Sequence, residues 1–174
     1  KRHKQAKNIH GNTPLELTWT IIPLIIVIGI FYMGWINYDT LRNIPKDAMK
    51  VKVTGVMWKW SFEYPNGLQT DTLFVPINKP VKMEFTSNDV NHSFYVPALR
   101  FKTDVIPSKT NTSWFQADEL GSMQVQCAEY CGLNHSQMNT MVVVLTDSAY
   151  NQWFNEQTQK MQSNANDTTK ISAN

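Results

Sequence analysis

Gln126-Cys127-Ala128-Glu129-Tyr130-Cys131-Gly132-Leu133-Asn134-His135-Ser136-Gln137-Met138 holds both cysteines of this 174-residue chain, one of its four histidines and a methionine within twelve residues. Thiolate, imidazole and thioether are soft donors that suit copper over magnesium, calcium or manganese. A single-copper electron-transfer site takes one thiolate, two imidazoles and a weak axial thioether, one thiolate fewer than this stretch offers. Two thiolates can instead bridge two copper ions, each with its own imidazole and weak ligand. His135 is one imidazole. The candidate for the other is His92, in the apolar, β-prone stretch Asn91-His92-Ser93-Phe94, whereas His3 and His10 lie in a basic terminus. Met138 suits one ion as weak ligand, and a backbone carbonyl between the cysteines suits the other. Two further readings of the same residues stay open. Cys127 and Cys131 can form a structural disulfide, as cysteine pairs do in oxidising compartments. They can also join two histidines around zinc, although zinc sites more often use Cys-x2-Cys pairs and leave the methionine without a role.

Outward from this stretch, charge and hydropathy divide the chain. Net charge is +2 and gives no basis for nucleic-acid binding. Four of the 16 basic residues, Lys1, Arg2, Lys4 and Lys7, precede the first acidic one, Glu16, leaving 12 basic against 13 acidic residues from Asp39 onward. Between those regions Leu17–Tyr38 runs 22 residues without a charge. At about 1.5 Å per residue it reaches roughly 30 Å as a helix, the thickness of a bilayer's hydrocarbon core. Trp19 near one end and Tyr32, Trp35 and Tyr38 near the other suit the interfacial aromatic belts. A signal peptide would be shorter, with a small-residue cleavage site, and a buried core helix is seldom apolar on every face. The sequence therefore predicts a transmembrane helix over 15–38, after a basic juxtamembrane segment over 1–14. The basic end stays in the cytoplasm or matrix, and everything after Asp39 lies outside.

Beyond Asp39 short β-prone runs take over: Lys50–Thr54, Val56–Tyr64 before a Pro65-Asn66-Gly67 turn, Leu73–Val75, Val81–Thr86, Ser93–Val96, Ser113–Gln116, Ser122–Gln126 and Thr140–Thr146. Such a series predicts a sandwich or small barrel. Asp147 is a candidate N-cap for a short helix over Ala149–Lys160 with Tyr150, Trp153 and Phe154 on one side. Residues 161–174 show no apolar period and read as a disordered tail. No Cys-x-x-Cys-His haem-attachment motif is present, so any electron donor is expected to be another protein or domain.

The run Cys127 to Met138, the upstream His92 in Asp89-Val90-Asn91-His92-Ser93-Phe94 and the segment Trp58-Lys59-Trp60-Ser61-Phe62-Glu63-Tyr64 together resemble subunit II of the haem-copper cytochrome c oxidases. The likeness extends from about Thr13 to about Phe154. It implies an all-β cupredoxin-like Greek-key barrel over 39–160, with an N-terminal transmembrane helix and a short C-terminal helix. The family usually carries two membrane helices in a hairpin, and this sequence contains the second. The resemblance further implies a dinuclear CuA centre of two copper ions. Cys127 and Cys131 bridge them, His92 and His135 are terminal ligands, Met138 is axial to one copper and the Glu129 carbonyl to the other.

Other roles come from the same likeness and compete with plainer ones. The Glu129 side chain would bind magnesium or manganese at the boundary with subunit I, although it reads equally as a polar loop residue. Trp58 would be the aromatic through which an electron enters from a c-type cytochrome. Trp58 and Trp60 share a face if both lie on one strand, and core packing is the alternative. Glu16 would stand at the mouth of a proton path into subunit I, or simply be a carboxylate favourable at a helix N-terminus. Arg100-Phe101-Lys102-Thr103-Asp104 matches a loop that faces subunit I. At Ile106-Pro107-Ser108-Lys109 relatives often have glycine after the proline, which places the turn geometry in question. The implied function is electron transfer from cytochrome c to haem in subunit I, where oxygen is reduced and protons are pumped. Partner oxidase subunits and the lipid membrane complete the setting, a bacterial inner membrane or alternatively the mitochondrial inner membrane. A membrane-anchored copper-delivery or storage protein would need only labile copper. A quinol oxidase subunit would lack this ligand set.

Overall fold

A computed structural model describes residues 10–171, the side chains through residue 163. The chain divides into two units, the first ending at Asn43 and the second starting at Ile44. Lys1, Arg2, Lys4 and Lys7, like His3, lie outside the described residues.

The first unit is α1, Thr13–Arg42. Asn12 caps it by accepting the Leu15 N–H at 3.3 Å, and Pro14 occupies the first turn, where its missing N–H is no loss. Helix reaches four residues past Tyr38, ending in Arg42 near the negative pole and an Asn43 cap. None of its residues is buried. Length and composition suffice to cross a membrane.

The second unit is a sandwich of ten strands: β1 (Met49–Val56), β2 (Lys59–Glu63), β3 (Gln69–Thr70), β4 (Leu73–Pro76), β5 (Pro80–Ser87), β6 (His92–Val96), β7 (Phe101–Val105), β8 (Asn111–Gln116), β9 (Gly121–Cys127) and β10 (Asn139–Leu145). One sheet runs β3-β2-β1-β5-β8 and the other β4-β10-β9-β6-β7. The chain changes sheet after β3, β4, β5, β7 and β8, and a bridge between Ser87 and Pro107 joins the two along one side. Strand alternation builds the core directly. On β5, Val81, Met83 and Phe85 are buried while Lys82 and Glu84 point outward and pair at 2.7 Å. Phe94 on β6 centres an aromatic cluster, with ring centroids 5.3 Å from Trp60, 6.1 Å from Phe62 and 5.4 Å from Phe85.

Several expectations need correcting. Val56–Tyr64 is not one run: β1 ends at Val56 and β2 starts at Lys59, so Trp58 stands in the intervening turn and shares no strand with Trp60. Arg100–Asp104 is not a loop, since Phe101–Val105 forms β7 against β6. Charges at Lys102 and Asp104 hid it, and such charges are characteristic of an edge strand's solvent side. Ser108, in place of the expected glycine, takes φ 59°, the left-handed conformation that glycine would adopt more easily.

The C-terminal helix α2 covers Asp147–Ile171, so residues 161–171 of the expected tail are helical, in a stretch without glycine or proline to end the helix. Residues 172–174 lie outside the description. Its cap is Thr146 rather than Asp147: Thr146 Oγ1 accepts the Ala149 N–H at 3.3 Å, leaving Asp147 in the first turn, paired with Lys79. The apolar side docks as the sequence implies. Trp153 stacks on Phe74 at 4.3 Å and meets Tyr64 at 5.6 Å. Buried Tyr64 holds both backbone groups of Phe74 with its hydroxyl, at 2.9 and 3.0 Å.

Candidate metal centre

Two neighbouring strands bring together residues 35 positions apart. Phe94 of β6 pairs with Cys127 at the end of β9, and the Ala128 N–H donates to the Ser93 carbonyl at 2.9 Å. His92, first residue of β6, therefore faces the first cysteine, with Nδ1 3.7 Å from Cys127 Sγ. The loop from β9 to β10 then folds back on itself. The His135 N–H donates to the Gly132 carbonyl at 3.1 Å, the Met138 N–H to the His135 carbonyl at 3.2 Å, and the Cys127 N–H to the Met138 carbonyl at 3.2 Å. Gly132 permits the turn by taking φ +115°, a conformation other residues rarely adopt.

The outcome is a chain of donors. Cys127 Sγ and Cys131 Sγ are 3.7 Å apart and are free thiols, too far apart for a disulfide bond. Around Cys127 stand His92 Nδ1 and, at 3.3 Å, the Glu129 carbonyl oxygen. Around Cys131 stand His135 Nδ1 at 3.5 Å and Met138 Sδ at 3.7 Å. Donor atoms of His92, Cys127 and Cys131 all lie within 4.8 Å of one another. Four donors about 2.3 Å from a tetrahedral first-row ion would be separated by roughly 3.7 Å. The pocket thus has the dimensions of such a site, and its sulfurs select a soft ion. Burial, then the Cys127 sulfur, pushes the Cys131 thiol up to about 12, so a bound cation is what would hold the Cys131 sulfur as a thiolate.

His92 is fully buried and oriented from three sides. Its Nε2–H donates to Asp89 Oδ1 at 2.8 Å, an arrangement that in the neutral imidazole presents the Nδ1 lone pair toward Cys127. Trp60 lies edge-on at 5.9 Å. Gly55 supplies the space, since a Cβ there would come within 3.1 Å of both the His92 and Trp60 rings. Burial works against an ionised Asp89, yet N–H donors from Met57 and Val90, together with His92, outweigh it and hold the carboxyl down to about 2. Sequence reasoning gave Asp89 and Gly55 no role. The one available signal was the three-residue spacing of Asp89 and His92.

The remaining candidates fall elsewhere. Trp58 is half-buried, with indole atoms 3.5 Å from where a Gly132 Cβ would stand, and its Nε1 finds no hydrogen-bond partner among the described residues. The Glu129 side chain is exposed and lines a cleft of about 230 Å³ with Asn91, His92, Asp104 and Ile106. Glu16 belongs to the other unit, where its Oε1 accepts the Asn12 N–H at 3.3 Å in the first turn of α1.

A two-sheet sandwich with a thiol-, imidazole- and thioether-lined pocket where β6 meets the β9–β10 loop defines a cupredoxin-like metal-binding domain. Residues 66–145 match the family Cytochrome C oxidase subunit II, periplasmic domain. The "Cytochrome c oxidase subunit 2" of Alkalihalophilus pseudofirmus is 36% identical over 157 residues, covering 84% of this chain and 45% of that one. The "Alternative cytochrome c oxidase subunit 2" of Bradyrhizobium diazoefficiens is 31% identical over 189 residues, covering 90% of this chain and 68% of that one. Among solved structures, the periplasmic domain of subunit II of cytochrome oxidase (CoxB) of Bradyrhizobium japonicum superposes with a TM-score of 0.65 at 31% identity, over 68% of this chain and 99% of that one. The chain belongs to the cytochrome c oxidase subunit II family. It spans about half the length of the first of these relatives. The His/Cys cluster is compatible with the copper this family binds, and an apolar helix ahead of a periplasmic domain fits a membrane protein with its β-sandwich outside.

Proposed function

We propose that this chain is the electron-transfer subunit of a membrane-bound terminal oxidase, accepting electrons from a c-type cytochrome and delivering them to haem in subunit I, where oxygen is reduced and protons are pumped. The observation that carries the proposal is the placement of two buried thiols 3.7 Å apart, each flanked by one imidazole. Cys127 and Cys131 would bridge a CuA pair, with His92 and His135 as terminal ligands and Met138 and the Glu129 carbonyl as weak ones. When bound, two coppers supply a one-electron store whose charge is shared across both thiolates.

The chain's own contribution is to hold that frame. β6 and β9 fix His92 and Cys127 through the sheet ladder, and Asp89 sets the His92 tautomer, so the ligands need little rearrangement when charge moves. The apolar core behind Phe94 keeps water from the sulfurs. Trp58, packed over Gly132 in the turn between β1 and β2, is the point where we place electron arrival. The Glu129 residue is exposed while its carbonyl lies 3.3 Å from Cys127 Sγ, which leaves the carboxylate to hold magnesium or manganese with ligands from subunit I, since a hard carboxylate suits either ion. At Glu16 the observed contact is a cap, and a role at the mouth of a proton path would be additional to it. α1 crosses the lipid bilayer, a bacterial inner membrane or alternatively the mitochondrial one. The partners are subunit I, other oxidase subunits and the donor cytochrome.

Copper analysis combined with electron paramagnetic resonance on the purified chain tests this. Two coppers per chain and one unpaired electron coupled to both nuclei are expected. One copper per chain, or easily removed copper with a signal confined to one nucleus, overturns the reading in favour of a carrier of labile copper.

A further inference from the structure

The sulfur donors of the centre are shielded from solvent. Cys127 and Cys131 are 8% and 4% exposed, while Met138 and His92 are fully buried. A metal site requires a path by which the ion enters, and with His135 half-buried the question is what soft donor meets the ion before the sulfurs do. Glu129 is an exposed carboxylate, too hard a donor for Cu(I), and Tyr130 and Leu133 offer no soft atom. Met57 does. It is 43% exposed, and its Sδ lies 3.7 Å from the position of a Cβ on Gly132, so the thioether rests over the backbone that directly follows Cys131. Its own backbone is tied to the site: the Met57 N–H donates to Asp89 Oδ2 at 2.7 Å, and the same carboxylate takes the His92 Nε2–H. A soft, uncharged sulfur is thereby held at the rim of a pocket whose other sulfurs are inaccessible.

We propose that Met57 is a transient Cu(I)-binding site, the first contact from which copper passes inward to Cys131 and Cys127; this rests on the copper reading above. A thioether favours Cu(I) and carries no proton, so capture needs no deprotonation. The transfer is a ligand exchange at constant oxidation state. The bond between Cu(I) and Met57 Sδ breaks as a bond to Cys131 Sγ forms, and the thiol proton leaves to water.

The test uses the full chain in detergent, with thiols reduced and oxygen excluded. Copper uptake is followed from the coloured Cu(I)–bicinchoninate complex, and Zn2+ uptake from its own coloured chelate. Met57→Leu conserves volume and apolarity. It is expected to take up Cu(I) roughly tenfold more slowly, about 1.4 kcal/mol of barrier, to the same final copper content, while Zn2+ enters at the unaltered rate. Equal Cu(I) rates for the two proteins overturn the assignment of Met57 and leave the copper centre standing. Slowing of Cu(I) and Zn2+ alike also overturns it, because an altered route rather than a lost ligand would be responsible. If the unsubstituted chain takes up no Cu(I), the copper reading itself fails.

Discussion

His92 and His135 present the same ring nitrogen to neighbouring sulfurs from opposite kinds of scaffold. His92 is fully buried at the head of β6, with Asp89, Trp60 and Gly55 around its ring. His135 is half-buried on a 3₁₀ turn, Tyr130 is its ring neighbour at 5.7 Å, and the loop beside it exposes Tyr130 by 77% and Leu133 by 86%. One half of the centre is thus part of the hydrophobic core, and removing it costs folding energy as well as a ligand. The other half is a self-bonded loop laid over the first, and removing its imidazole costs a ligand alone.

The sharpest way to break that comparison is to truncate each imidazole. His92→Ala should destabilise the protein before copper is added by about 2–4 kcal/mol, as expected for a buried side chain replaced by a cavity. His135→Ala should change it by less than about 0.5 kcal/mol. Urea unfolding without copper reads both, and equal costs would refute the division. Gly55→Ala comes next, at about 1–3 kcal/mol, because the added methyl overpacks against the His92 and Trp60 rings. It should disturb hyperfine coupling from His92 and spare that from His135.

Asp89→Asn should fold normally while losing roughly 10–100-fold in copper affinity, the usual consequence of removing a ligand histidine's hydrogen-bonded carboxylate; chelator competition measures it. Unchanged affinity would mean that the β-sheet alone orients His92. Leu133→Ser should have the smallest effect, under about 0.5 kcal/mol with the copper content unchanged, since the side chain is 86% exposed.

Acid weakens the sandwich surface as well as the Asp89 end. The hydrogen bond from Lys82, opposed by partial burial, lowers the Glu84 carboxyl below its ordinary value. A depressed acid adds stability that is present above the unfolded-state value and disappears as pH falls through the folded one. The contribution should therefore be constant at neutral pH, fade in acid, and be absent from Glu84→Gln in matched acid titrations. On an exposed sheet face it should be small.

Much of this protein follows from local pattern. The crowding of two cysteines, a histidine and a methionine in twelve residues marks a candidate soft-metal loop, and 22 uncharged residues mark a lipid-sized helix, because donor chemistry and hydrophobic length are properties of the chain itself. Alternating runs such as Val81–Phe85 were readable for the same reason. Where charges occupied the outward positions of an edge, as at Lys102 and Asp104, the alternation was masked and β7 went unread. Tertiary structure alone decided what depends on distance: that His92 meets Cys127 across 35 residues, that Asp89 and Gly55 aim its ring, that Trp58 leaves the strand to lie over Gly132, and that Met57 stands at the rim. Register between β6 and β9 settles those contacts, and register is set by how two faces pack, which no single stretch of residues contains.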